Sequence, residues 1–232
     1  MKVSWCISKV DAAFLSKMED VLDVYAKPYD AAYPVVCFDE RPCFLIGDTV
    51  APIPTQTGKV AKEHYSYEKN GSCCLLAAIE PLQGKRMAMV YAQRTKKEYT
   101  QFMQVIAANY PDAIKIKVVQ DNLNTHNTSS FYEHLPADEA KSLADRFEFH
   151  YTPKSASWLN MIEIEFSALS KQCLNRRIPT RQQLEEQIKL IVEQRNKQQI
   201  KIDWQFSIGS ARSKLNNRYA IVNNSNEKFK TI

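Results

Sequence analysis

Apolar positions along this chain follow two periods, and the periods alternate in blocks. Over residues 11–27, DAAFLSKMEDVLDVYAK, the side chains of Phe14, Met18, Val21, Leu22 and Tyr25 recur at three- and four-residue steps. That spacing lines one face of a helix, and Asp11 can cap its first free amides. Pro28 and Pro34 bracket the turn that follows. The pattern then shifts to short runs rich in β-branched and aromatic residues. These predict strands at 35–39, 43–47, about 64–68, 73–80 and 87–93, with Gly58, Gly71 and Gly84 marking turns between them.

Helical spacing returns at Thr95–Tyr110, where Tyr99, Phe102, Met103, Ile106 and Ala107 share a face. IKIKVVQ predicts a strand, residues 128–145 a helix broken at Pro136, and Phe147–Tyr151 a further strand. Residues 157–174 and 180–199 predict two helices split by Pro179, the second opening on Thr180 with Gln183 three residues on. A mixed polar tail closes the chain. A helix, a strand-rich block, then strands alternating with helices specify an α/β fold, a mixed sheet covered by helices.

Composition narrows the class. A chain of 232 residues can bury a sizeable core as one domain, or one domain with a tail. No apolar run approaches the roughly 18 residues of a membrane span. The opening MKVSWCISKVDAAF lacks the layout of a secretory signal. The cysteines at 6, 37, 43, 73, 74 and 173 form no CxxC pair, which points to buried thiols in a reduced cytoplasmic protein.

Charge is unevenly spread. Through residue 169 there are 18 basic and 21 acidic side chains; from residue 170 onward there are 13 basic and 5 acidic. A basic C-terminal third on an acidic body suits a DNA-backbone footprint, with Arg176, Arg177, Arg181 and Lys189 as its candidates.

Three carboxylates carry the candidate chemistry. Asp39 follows the apolar run VVCF, Asp121 follows IKIKVVQ, and Glu163 lies in SWLNMIEIEF. In open α/β sheets ligands gather at the carboxyl ends of strands, so both aspartates can face one site. An all-oxygen set suits Mg²⁺ or Mn²⁺ rather than Zn²⁺. Two such ions about 3.5–4 Å apart serve in-line attack on a phosphodiester. Leu159, Ile162, Phe166, Leu169 and Cys173 form the apolar stripe of the last acid's helix, and Glu163 and Glu165 flank it on opposite sides. Periodicity does not choose between them. Asn160, one turn before Glu163, shares its flank as an oxygen ligand or orienting donor. Asn122 and His126, in DNLNTHN, are candidates to support Asp121 or touch DNA, while Glu40 should point away from Asp39. No GxxxxGK[ST] and no GxGxxG is present, which disfavours nucleotide-driven chemistry.

VVCFDE, VVQDNLNTHN and YTPKSASWLNMIEIEF together resemble the catalytic core of bacterial insertion-sequence transposases of the mariner superfamily, over about Trp5 to Leu215. The resemblance implies an RNase H-like, retroviral-integrase-like fold: a mixed five-stranded sheet flanked by helices on both faces. It implies Asp39, Asp121 and Glu163 as a DDE triad holding two Mg²⁺ or Mn²⁺ ions, and DNA cleavage followed by strand transfer. The domain plan it implies is a lead-in helix at 1–34, the catalytic domain at 35–200 and a basic polar tail at 201–232. Element ends and target, both double-stranded DNA, would be the partners, engaged by a homodimer or higher oligomer in the bacterial cytoplasm at the nucleoid. The 41 residues between Asp121 and Glu163 exceed the separation in many members and imply an insertion before the last helix. Residues 1–34 leave no room for the usual helix-turn-helix domains, so a separate or upstream DNA-binding domain is expected. A nuclease without strand transfer and a silent DNA-binding remnant are the rival readings.

Overall fold

The computed structural model describes residues 10–226. Its centre is a five-stranded sheet: β1 (Val35–Asp48), β2 (Tyr67–Glu80), β3 (Lys85–Tyr91), β4 (Ile116–Gln120) and β5 (Phe147–Tyr151), in the order β3-β2-β1-β4-β5. The β1–β2 and β2–β3 pairs are antiparallel; β1–β4 and β4–β5 are parallel. The eight helices among the described residues are α1 (Ala12–Ala26), α2 (Lys96–Ala108), α3 (Ser129–His134), α4 (Ala137–Asp145), α5 (Ile162–Leu169), α6 (Arg181–Lys197), α7 (Ile208–Lys214) and α8 (Asn216–Val222).

Alternation along β1 sends neighbouring residues to opposite faces. Val36 and Phe38 join Tyr99, Phe102, Met103 and Ile106 of α2 and Phe131 of α3 in one core. Cys37, Cys43 and Leu45 join Ile162, Phe166 and Leu169 of α5 and Leu184 and Ile188 of α6 in the other. A third cluster seats Phe14, Leu15, Met18 and Leu22 of α1 against Leu159, Ala211 and Tyr219, which ties the first helix to the C-terminal ones. The sheet is therefore covered by helices on both faces. Each fully buried aromatic, such as Phe38 or Phe102, stabilises the fold by roughly 1.5–3 kcal/mol relative to exposure.

Caps fix the helix starts. Asp11 accepts from Phe14 N at the head of α1, Thr180 from Gln183 N at the head of α6, and Thr95 with Glu98 forms a capping box at α2. Pro136 separates α3 from α4.

Several expected boundaries move. The runs 35–39 and 43–47 are one strand, because β4 accompanies β1 only from Val35 to Cys37 and leaves that edge open where Pro42 lacks its N–H. Of the expected run 64–68 only residues 67 and 68 are strand, and they merge with 73–80 into β2. Gly71 is not a turn: it sits inside β2 at φ +104°, where the register against β1 slips between Phe44 and Ile46, a bulge that suits glycine. The expected helix 157–174 divides into a 3₁₀ turn (Ser157–Leu159), α5, and a π-helical turn (Ser170–Leu174). Cys37, Cys43, Cys73, Cys74 and Cys173 are buried and unbridged; Cys6 lies outside the described residues. No helix among the described residues is long and apolar enough to cross a membrane.

Candidate active site

Asp39 lies two residues past the last β1–β4 pair, inside β1 rather than at its end. β1 continues beside β2, with Asp39 opposite Ala77, but its β4 side has opened. Asp121 is the first residue after β4, and β4 neighbours β1. Both aspartates thus stand where the parallel part of the sheet ends. Oδ1 of Asp39 accepts a hydrogen bond from Glu40 N at 2.8 Å, which orients the carboxyl. Burial, then the charge of Glu40, and further the charges of Asp121 and Glu163, push the Asp39 carboxyl up to about 7. Asp39, on β1, therefore feels the charges of an acid at the end of β4 and of one on α5.

Glu163 is in the first turn of α5, and Asn160 explains why that helix begins where it does. Asn160 is extended (φ −83°, ψ 117°), which breaks the helical path from the 3₁₀ turn. Its buried Nδ2 donates to the carbonyl of Phe38 at 2.8 Å, and its own carbonyl accepts from Glu163 N at 3.1 Å. One side chain thus latches the start of α5 to the residue before Asp39. Asn160 acts through the backbone, and it does not share a helix flank with Glu163 as its spacing suggested.

Asp121 is held by two donors. Leu123 N donates to its Oδ1 at 3.2 Å, and His126 Nδ1 contacts the same oxygen. His126 is buried, packed between Phe38 and Tyr99, with its Nε2 2.8 Å from Glu40 Oε2. Burial opposes a charge on this imidazole, but the carboxylates of Asp121 and Glu40 outweigh it and raise His126 to about 9. Burial likewise works to raise Asp121, and the His126 contact prevails, holding it below its usual value. Glu40 points to the face opposite Asp39, as alternation requires, and its other oxygen accepts from Arg94 Nη1 at 3.0 Å. Glu40 and Arg94 were not anticipated as a pair; 54 residues separate them, and no local pattern joins them. Asn122 is exposed beside Asp121.

Glu165 is set apart by its partners. Only 2% exposed, it receives Arg86 Nε at 2.8 Å on one oxygen and Arg195 Nε at 2.7 Å on the other. Its charge is used inside the protein, locking α5 to β3 and α6, whereas Glu163 stays partly open.

The basic candidates divide. Arg177 donates to Asp48 Oδ1 at 2.7 Å and to the carbonyls of His64 and Ser66. It staples the 49–66 excursion onto the sheet, which removes it from the set free to grip a DNA backbone. Arg176 is exposed and pairs with Gln187; Arg181 pairs with Glu185 at 3.1 Å, and Lys189 lies 3.9 Å from Glu193. Such exposed pairs are weak and give way readily to a phosphate.

Among the described residues, no three or more His, Cys, Asp or Glu side chains are grouped so that they could hold a metal ion, and Asp39, Asp121 and Glu163 form no such group. Asp39, Asp121 and Glu163 offer carboxylate oxygens only, the donor type that a divalent hard cation takes. Phosphate or water oxygens normally complete sites built from such donors.

The same architecture occurs in solved transposase complexes. The Mos1 mariner paired-end complex with Mn superimposes at TM-score 0.57 with 12% identity, covering 86% of this chain and 62% of that one. A pre-cleavage Mos1 transpososome matches at 0.57 and 12%, covering 97% and 66%, and the Mos1 paired-end complex with Mg at 0.52 and 10%, again covering 97% and 66%. This chain thus spans about 62% of the first of these proteins, and the likeness shows the shared RNase H-like fold. No curated protein sequence matches this chain. The family model for DDE superfamily endonucleases matches residues 34–185, the stretch that holds Asp39, Asp121 and Glu163, and the chain belongs to that family.

Proposed function

We propose that this chain is the catalytic domain of a mariner-like transposase, cutting DNA strands and joining the freed 3′ ends to target DNA with Asp39, Asp121 and Glu163 as the reacting site's carboxylates. The observation that carries the reading is the match of the DDE endonuclease family to residues 34–185, with Asp39 and Asp121 standing where the parallel part of the sheet ends. Family membership and the fold shared with Mos1 complexes solved with Mn and with Mg support it.

The three carboxylates would hold two Mg²⁺ or Mn²⁺ ions. When bound, such ions activate the attacking oxygen and stabilise the leaving one. The chain's own residues do the rest. Glu40 N fixes the rotamer of Asp39. His126 and Leu123 N fix Asp121, leaving its second oxygen for a ligand. Asn160 holds Glu163 at a set height above β1 through Phe38. A preorganised set of this kind needs no rearrangement when charge develops in the transition state.

The partner is double-stranded DNA, and the Mos1 paired-end, transpososome and strand-transfer complexes motivate a dimer or higher oligomer on it. End recognition would come from a helix-turn-helix domain upstream or on a separate chain. Within this domain Arg176, Arg181 and Lys189 would follow the backbone without reading bases.

Nicking of supercoiled plasmid with Mn²⁺ tests the reading. Asp39→Asn, Asp121→Asn and Glu163→Gln should each lose at least about 100-fold in rate, the scale of a lost electrostatic element. Full activity in any of the three would defeat it. Strand transfer is read separately, with a pre-nicked duplex as donor and plasmid as target. Nicking without joining would favour the nuclease reading.

A further inference from the structure

We propose that Arg94 is a DNA phosphate contact of this site, a guanidinium held at the rim beside Asp121 by the buried carboxylate of Glu40. The inference rests on the proposed function for where the DNA lies and goes beyond it in naming what grips the backbone there.

Arg94 belongs to the short connection between β3 and α2, just before the capping Thr95. One of its nitrogens donates to Glu40. Among the described residues the rest of the guanidinium makes no protein hydrogen bond, so most of its five N–H donors face water. The exposures separate it from the other arginines that meet buried acids. The Arg94 side chain is 53% exposed over a Glu40 that is only 3% exposed, whereas Arg86 and Arg195, around Glu165, are 1% and 11% exposed. Those two are closed structural pairs. Arg94 is anchored on one side and open on the other.

Charge gives the open side a purpose. His126 bridges the carboxylates of Asp121 and Glu40, and Arg94 brings a permanent cation to the Glu40 end of that bridge. Among the described residues Asp39 and Glu163 form no ion pair with a basic side chain, so an arriving phosphate meets carboxylates there. Arg94 is linked to Asp121 by contacts, through Glu40 and His126. A planar fork held by one carboxylate can present its remaining edge to a phosphate oxygen, a geometry that a lysine does not reproduce. Glu40 therefore serves as the anchor that aims Arg94, as well as the second partner of His126.

The test is a fluorescence-anisotropy titration of a labelled random-sequence duplex at several salt concentrations, with Asp39→Asn as the parent so that no strand is cut. Adding Arg94→Ala should weaken binding about tenfold or more and reduce the slope of log K against log salt by about 0.9. Arg94→Lys should restore the slope while recovering only part of the affinity. Thermal unfolding of each variant reports whether the fold survives. Unchanged affinity and slope in Arg94→Ala would overturn the proposal. So would weaker binding with an unchanged slope, which would trace the loss to a disturbed fold. The titration needs no cleavage: a wild type that fails to nick DNA would sink the proposed function, while a reduced slope in Arg94→Ala would still stand for the phosphate contact.

Discussion

Glu165→Gln isolates the structural acid of α5 from its neighbour Glu163. Glu165 lies between two guanidiniums, with Arg86 Nε 2.8 Å from one oxygen and Arg195 contacts at 2.7 and 3.0 Å. Arg86 cannot turn to solvent, since its other nitrogens donate to the carbonyls of Gly84 and Ile200 at 2.6 and 2.7 Å. Burial already works to lower Arg86, and the Glu165 carboxylate is what opposes it. The substitution keeps the volume but leaves two buried cations without an anion. Breaking a buried pair from one side costs about 3–5 kcal/mol, most of it the orphaned charge rather than the worth of the pair. For a domain of this size each kcal/mol moves Tm by about 2–4 °C, so a fall of roughly 6–20 °C is expected. Circular-dichroism melts of wild type, Glu165→Gln and Glu163→Gln measure it. Glu163→Gln, at a half-buried position with no such partners, should stay within about 0.5 kcal/mol of wild type. A Glu165→Gln melt within about 2 °C of wild type, or an equal loss in Glu163→Gln, would refute the division of labour between the two acids.

Other outcomes follow from single contacts. Asn160→Ala removes the buried donor to Phe38 O and should cost about 1–3 kcal/mol in urea unfolding; nicking should fall further than that loss explains, because Glu163 is no longer latched. Gly84→Ala should destabilise by about 1–3 kcal/mol, since a Cβ there would stand 2.6 Å from Ile200 O at φ +68°; a neutral result in the same assay would contradict the packing. His126, raised to about 9, contributes stability that is complete below its unfolded value of about 6.5 and lost as pH rises through 9. The gap between wild type and His126→Gln should therefore close from about pH 6 to about pH 10, and a constant gap would count against the bridge. Asp39, raised to about 7, makes the wild type less stable as pH climbs from about 4 to 7, so metal-free Asp39→Asn should melt higher than wild type above neutrality. Adding Mn²⁺ should raise the wild-type Tm and leave that of Asp39→Asn unchanged.

Much of this was legible along the chain, and the exceptions share a cause. Strands β3 to β5, helices α1, α2 and α6 and their caps follow from local period and capping residues, which act within four positions. The continuity of β1 past Pro42 depends on β4 parting from β1 after Cys37, a non-local fact. Gly71 reads as a turn in sequence because a bulge and a turn both use positive φ. Asp39, Asp121 and Glu163 stand out by residue type and position. The choice between Glu163 and Glu165 does not, because the arginines that claim Glu165 are 79 and 30 residues away. Arg177 read as a DNA contact by composition, but Asp48 and two carbonyls of the 49–66 excursion enclose it. Glu40 sat next to a candidate acid and was assigned only a direction; its partners His126 and Arg94 come from the segments after β4 and β3, distant in sequence.

The central claim is that Asp39, Asp121 and Glu163 form one divalent-metal site for DNA. Crystals grown with a DNA duplex and Mn²⁺, with anomalous diffraction collected at the manganese edge, test it most directly. The account predicts anomalous peaks in direct contact with oxygens of Asp39 and Asp121, with Glu163 completing the set and Glu165 still enclosed by Arg86 and Arg195. Manganese bound elsewhere, or coordinated through Glu165 with Glu163 turned to solvent, would contradict it.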